Sequence, residues 1–247
     1  MQNIEFKTGV IKPVECLTEG WELIKPYYWL VFAITLVGLL IASFIPFALG
    51  LGAMYCGIYY AIFRIMDGEK PEFGDLFKGF NYFLPALVAT LAFIIPVVVF
   101  TIISWISMIG FLATMTDGTG QMEPSAIFAL YGVIFAEGLF FGIVLGCIHA
   151  FVMFTYPLIV EHSLSGVEAF KLSSKAVWHN LGGITGFILA EFVLGFISYL
   201  ACGIGLYFTL PIMFAGALVA YRRVFPATST PYHDPPTPNN YGDLQSI

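Results

Sequence analysis

Six runs of apolar residues, each close to the length that crosses a bilayer, decide what this chain can fold into. They cover residues 27–45, 46–65, 84–113, 126–157, 181–200 and 203–221. A helix needs about 20 such residues to span the hydrocarbon core. No water is available there to satisfy backbone N–H and C=O groups, so a helix that bonds its own backbone is the form such runs take. Composition agrees: 59% of residues are hydrophobic and 11% charged, with a mean hydropathy of +0.87, whereas soluble domains carry roughly a quarter charged residues. The expected fold class is therefore all-α, a polytopic membrane bundle of six transmembrane helices.

The basic residues orient those spans. Lys7, Lys12 and Lys25 precede the first; Arg64, Lys70 and Lys78 join the second to the third; Lys171 and Lys175 join the fourth to the fifth; Arg222 and Arg223 follow the sixth. The alternate connections, residues 43–46, 114–125 and 201–203, contain none. The positive-inside rule then predicts cytoplasmic N- and C-termini in a cell (inner) membrane. The first apolar run begins late, is long enough to span and follows Glu15, Glu19 and Glu22, a pattern unlike a cleavable signal peptide. Cys16, Cys56, Cys147 and Cys202 are scattered without a CxxC pair, which offers neither a zinc nor a redox motif.

The segment PLIVEHSLSGVEAFKLSSKAVWHN, residues 157–180, leaves one apolar run and enters the next through a charged interval. Ser165 and Glu168 have the spacing of a capping box, so a helix is expected to begin there. At about 100° per residue Val167, Phe170, Ser174, Val177 and Trp178 share one arc. Ala169, Ser173, Ala176 and Asn180 form a small-residue stripe beside it, and Glu168, Lys171, Lys175 and His179 the remainder. The stripe predicts close packing against another helix, with the segment acting as an amphipathic elbow under the bundle. Similar patterns precede the third span (Phe73, Leu76, Phe77, Phe80, Phe83, after Pro71) and the first (Val10, Val14, Leu17, Trp21, Ile24). Leu17, Gly20, Trp21 and Pro26 align without a gap on Leu76, Gly79, Phe80 and Pro85. The expectation is three cytoplasmic elbow helices, each leading a transmembrane hairpin. The repeats would be residues 10–65, 71–160 and 165–222 of a membrane domain spanning 1–225, inserted the same way up. Residues 226–247, with five of the fourteen prolines and few aliphatics, read as a disordered cytoplasmic tail in which Tyr232, Tyr241 and Pro235–Pro236 could engage a partner.

Pro157 with Glu161 a turn later, then Ala169-x-x-x-Ser173 and Asn180, is similar to the motif of the YciC-like and glycerophosphodiester-phosphodiesterase-membrane-domain type of bacterial six-span protein. Asp75-Leu76-Phe77, Cys202-Gly-Ile-Gly205, Pro211 and Tyr221 add to the likeness. The resemblance implies a six-span fold and a bacterial inner membrane. It implies no activity, because no phosphodiesterase domain accompanies the membrane part.

Within the spans, small residues recur four apart: Gly138, Gly142, Gly146 and Ala150; Gly182, Gly186 and Ala190; Ala53, Gly57 and Ala61. Such faces let helix backbones approach, within one bundle or between two copies. His149 falls near the small face of the fourth run, as an interfacial hydrogen-bonding residue or a ligand. Glu137 and Glu191 each lie about 15–17 Å into their runs at 1.5 Å per residue. A carboxylate there must be neutral, hydrogen-bonded or facing water, so the pair is either a proton- or cation-handling site or a set of register pins, with Ser104, Ser107, Ser198 and Tyr199 as partners. No HExxH, GxSxG, GxGD, Walker-type or dinucleotide motif occurs, and Glu161-His162-Ser163 cannot converge as a triad. No catalytic residue, cofactor or metal is expected, and no basic stripe suits nucleic acid. Two functions remain. One is a non-catalytic membrane subunit or scaffold with the lipid bilayer and other membrane-complex subunits as partners. The other is a proton- or ion-coupled transporter or channel for a small solute or amphiphile, using Glu137 and Glu191.

If the bases mark one side, cysteines placed at Thr119 and Lys70 react from opposite faces of the membrane. Labelling both with an impermeant reagent in intact cells checks this; modification of the two together would rule out the topology.

Overall fold

The computed structural model describes residues 4–45, 49–115, 124–200 and 203–227. The expected tail beyond residue 227 and the connection at 116–123 lie outside them. Among the described residues there are ten α-helices and no strand: α1 (Pro13–Ile24), α2 (Tyr28–Phe44), α3 (Leu51–Met66), α4 (Asp75–Lys78), α5 (Phe83–Met115), α6 (Pro124–Val152), α7 (Thr155–His162), α8 (Gly166–Trp178), α9 (Leu181–Leu200) and α10 (Gly205–Val224). Five stretches are long and apolar enough to cross a membrane: Pro13–Phe44, Asp75–Ala113, Ile127–His162, Leu181–Leu200 and Gly205–Val224. The second expected span, α3, has 16 residues, about 24 Å at 1.5 Å per residue, and falls short of that length. It is nonetheless the most enclosed helix, with Gly52, Ala53, Met54, every residue from Cys56 to Phe63, and Ile65 buried. Its neighbours are α2, α4, α7 and α10.

The chain forms two compact units, residues 1–90 with 150–247, and residues 91–149. In the first unit two helical segments run antiparallel along two others. Along α10, Lys7 N–H donates to the Val224 carbonyl (2.8 Å), Glu19 pairs with Arg223 (2.7 Å), and Tyr28 Oη donates to the Phe208 carbonyl (2.8 Å). Gly20 and Gly216 bring the backbones together between those points. Along α3, Arg64 meets Asp75, Gly57 meets the Leu76 backbone, and a Cβ on Gly79 would overlap the Ala53 carbonyl. Gly20 and Gly79, aligned in the sequence, thus each mark a backbone contact with another helix, Gly20 with α10 and Gly79 with α3.

The elbows differ from expectation in orientation. α1 does not lie beneath the bundle. It continues through a 3₁₀ turn at Lys25–Tyr27 into α2, because Pro26 occupies a first-turn position where its missing N–H is tolerated. Its packed face is Cys16, Gly20 and Ile24, and Val14 is exposed. The second elbow is one α-turn, α4, followed by a 3₁₀ turn at Gly79–Tyr82. Only Leu76 of its apolar stripe is buried, leaving Phe73, Phe77, Phe80 and Phe83 outward. The run 126–157 is not one helix: α6 ends at Val152 and α7 restarts at Thr155. Pro157 explains the placement, since it fits a first helical turn but would break the interior of a longer helix.

The second unit is a hairpin of α5 and α6. Phe100 stacks on Phe141 with centroids 4.2 Å apart and planes 8° from parallel. Around it Ile95, Ile102, Trp105, Ile106, Phe128 and Phe135 are exposed, which suits a helix pair surrounded by lipid. The small-residue faces divide accordingly. Ala53, Gly57 and Ala61 are buried in the first unit. Among the described residues nothing lies within 4 Å of a Cβ built on Gly138, Gly142, Gly146 or Gly182. On α9 the packing glycines are Gly183 and Gly186, which seat Ile11 and Pro13, a register one residue away from the expected Gly182 at its first position.

Gly79→Val forces a side chain into the Ala53 backbone, and backbone displacement of that kind costs about 1–3 kcal/mol. The thermal midpoint in detergent should fall by several degrees, whereas Gly142→Ala should leave it unchanged. Equal effects of the two substitutions would contradict the packing.

Candidate functional site

The densest polar cluster sits where α7, α10 and α3 meet. α7 is only eight residues long and closes at Ser163, whose φ of 52° is left-handed. Its last turn therefore places Glu161 and His162 against the last turn of α10. Glu161 accepts from the Tyr221 hydroxyl and from the Arg222 guanidinium. Its side chain is 9% exposed and that of Arg222 17%. His162 Nε2 lies 3.6 Å from the same carboxylate. The guanidinium also covers the Phe63 ring of α3 at 4.8 Å, a cation–π contact.

Arg223, one residue on, points about 100° away around the helix. It reaches Glu15 at 3.2 Å and Glu19 at 2.7 Å on α1. One dipeptide thus ties α10 to α1, α3 and α7. α3 ends in a matching way: Arg64 contacts both Asp75 oxygens at 3.0 Å and Glu69 at 2.9 Å. Asp75 also accepts from the Glu72 N–H at 2.7 Å, and its residue is 3% exposed. All three arginines occupy last helical turns, where the carbonyl ends of the helix favour a cation.

A second knot lies at the α8–α9 junction. Asn180, 4% exposed, accepts from Gly9 N–H (2.8 Å) through Oδ1 and donates through Nδ2 to the carbonyls of Lys7 (3.1 Å) and Ala176 (2.9 Å). Three polar contacts satisfy a buried amide that would otherwise be costly. They strap the N-terminal segment across the junction, with Phe6 edge-on to His179 and tilted against Phe225. The Ser165 cap forms as expected: Ser165 and Glu168 exchange side-chain-to-backbone bonds. Ala169 and Ser173 are buried, and Ser173 Oγ donates to the Phe151 carbonyl at 2.6 Å. The small-residue stripe is the docked face of α8, together with Val177. Val167, from the neighbouring arc, is exposed.

Glu137 and Glu191 fall in different units. Ser104 Oγ donates to Glu137 at 2.5 Å, and Ser107 also bonds it, so two of the expected hydroxyl partners are engaged. Glu191 lies midway along α9, in the first unit. Ser198, considered as its partner, instead bonds the Leu194 carbonyl at 2.7 Å. His149 is exposed near the end of α6. No group of three metal-ligating side chains occurs among the described residues.

The structure therefore brings Pro157, Glu161 and Tyr221 to one cluster, and Asn180 to another beside Ser173. The partners Arg222, Arg223 and Arg64 were not singled out as a site in the sequence, where the bases served only to orient the spans, and Asp75 entered only through the resemblance. The available signal was positional: an arginine in the last turn of an apolar helix, joined for Arg223 by acids four apart, Glu15 and Glu19, on a neighbouring segment.

Together, fold and cluster define a multi-pass helical membrane protein whose helix ends are joined by charge pairs and by hydrogen bonds to the Asn180 side-chain amide. No family model, no curated protein and no solved structure matches the chain.

Glu161→Gln leaves the Arg222 charge uncompensated, and Arg222→Met leaves the carboxylate so; breaking such a pair costs roughly 3–5 kcal/mol when fully buried. Each single variant should unfold in detergent several degrees below wild type. The double variant should recover part of the loss, with a coupling of about 1–3 kcal/mol. Strict additivity would show that the pair is not coupled.

Proposed function

We propose that the protein is a non-catalytic integral membrane subunit or scaffold, built from three repeats that each supply an amphipathic leader and a transmembrane hairpin, six spans in all. The observation that carries this reading is where the polar side chains are used. Glu161, Arg222, Arg223, Asp75 and Asn180 are engaged in bonds that join one segment of the chain to another. That use of polar groups supports a rigid frame. The repeat is supported by the way each leader meets the hairpin before it: α4 on α3, α8 through Ser173 on the end of α6, and α1 on α10, which closes a cycle. The resemblance to YciC-like six-span proteins points the same way, as does the distribution of bases, which favours cytoplasmic termini in a bacterial inner membrane.

Carboxylate-coupled transport is the second reading, favoured by Glu137, a half-exposed ionisable group on an otherwise apolar hairpin. The two readings separate in liposomes and in native membranes. As a subunit, the protein should co-purify with a stoichiometric partner, and Glu137→Gln/Glu191→Gln should retain that partner because glutamine preserves size and hydrogen bonding. Proton or cation flux by the wild type that is lost in the well-folded double variant would overturn the scaffold reading.

A further inference from the structure

Helix α8 has three faces, and their order around the helix indicates what the exposed ones meet. The buried face, Gly166, Ala169, Ser173, Ala176 and Val177, is against protein. At about 100° per residue, the next arc holds Phe170 and Ser174, both half-buried, then Val167 and Trp178, which are 49% and 65% exposed. Lys171 and Lys175 follow, then Glu168 and His179, and the half-buried Leu172 completes the turn. The exposed residues thus pass from apolar to basic to polar, the order of a membrane interface crossed from acyl chain to water. Glu168, the acid on this exposed side, is occupied by Ser165 in the capping box.

The continuation of the chain fixes where that interface lies. Only His179 and Asn180 separate Trp178 from α9, a 20-residue apolar helix long enough to cross a membrane. Leu181, its first residue, is 43% exposed. Trp178 therefore stands at the mouth of a span, the level at which tryptophan is enriched. Asn180, bonded to Gly9 and Lys7, holds the α8–α9 corner and keeps Lys7, also exposed, beside it.

We infer that α8 is seated in the headgroup layer, with Val167, Phe170 and Trp178 in the acyl boundary and Lys171 and Lys175 on the phosphate of an anionic phospholipid. Charge complementarity selects the lipid: lysines at a membrane surface attract acidic headgroups, each strengthening association severalfold, while the apolar arc supplies the insertion energy of an interfacial helix. The inference rests on α8 and its junction with α9 alone and holds for either reading of function.

The test uses the full chain in nanodiscs, with Trp21, Trp29 and Trp105 replaced by Phe so that Trp178 is the fluorophore. Lipids brominated near the headgroup should quench it more than lipids brominated near the chain ends, and aqueous iodide should quench it weakly. In nanodiscs containing phosphatidylglycerol, native mass spectrometry should find that lipid retained on the wild-type chain. Lys171→Gln/Lys175→Gln should weaken retention about tenfold or more while leaving the bromine quenching intact. Both lysines are exposed, so the variant should keep its helical circular dichroism. Quenching by iodide but not by brominated lipid would overturn the seating of α8. Unchanged phosphatidylglycerol retention in the folded lysine variant would overturn the headgroup site.

Discussion

In lipid, an apolar side chain gains little by exchanging an acyl tail for a neighbouring helix, so something other than apolar burial must hold the helices of this chain together. Two devices do so in the first unit, and they alternate along the same seams. Where glycine removes the side chain, as at Gly20 against Gly216 and Gly79 against Ala53, backbones touch and dispersion acts at short range. Where the helices end, an arginine reaches across to an acid. On α10 the glycine contact and Arg223 lie about two turns apart on one seam with α1; on α3 Gly57 and Arg64 do the same with α4. The glycines determine how close the helices come, and the ion pairs fix how far they can slide.

The ion pairs also explain why the charged residues are so few and yet partly buried. A guanidinium placed in the last turn of a helix meets partial negative charge from the carbonyls even before it finds an acid. Covering Phe63 gives Arg222 a third source of stabilisation. Partial desolvation of Glu161 is offset by two donors, Tyr221 and Arg222. Removing either partner strands the other, which makes this knot more sensitive to single substitution than its location near the end of the bundle suggests.

The helical class, the apolar segments able to cross a membrane and the Ser165 cap were legible in the sequence because each rests on local chemistry. Apolar length gives a span, and a serine three residues before a glutamate gives a helix start. Orientation around the helix was less legible. Val14 and Val167 belong by periodicity to the apolar arcs of their helices yet are exposed; in a membrane protein outward positions are apolar too, so hydrophobicity no longer distinguishes inside from outside. Residue size does: Gly20, Gly57, Ala169 and Ser173 are the docked positions. The ion pairs required knowing which helix ends meet, a tertiary fact. For Glu137, the sequence named Ser104 and Ser107 as possible partners, and the spacing of the hairpin delivers both.

Helix length sets the remaining constraint. α3 has 16 residues, whereas α5 and α6 have 33 and 29. At 1.5 Å per residue that is about 24 Å against roughly 44–50 Å, and a hydrocarbon core of about 30 Å matches neither. A short helix is tolerated where other protein covers it, which is the situation of α3, enclosed by its neighbours rather than by lipid. A long one must tilt, or extend past the hydrocarbon, or thicken the bilayer beside it, each at a modest cost per ångström. Ser104 and Ser107 of α5 both bond Glu137 of α6, a polar tie between the two long helices of the kind that apolar side chains alone do not supply in lipid.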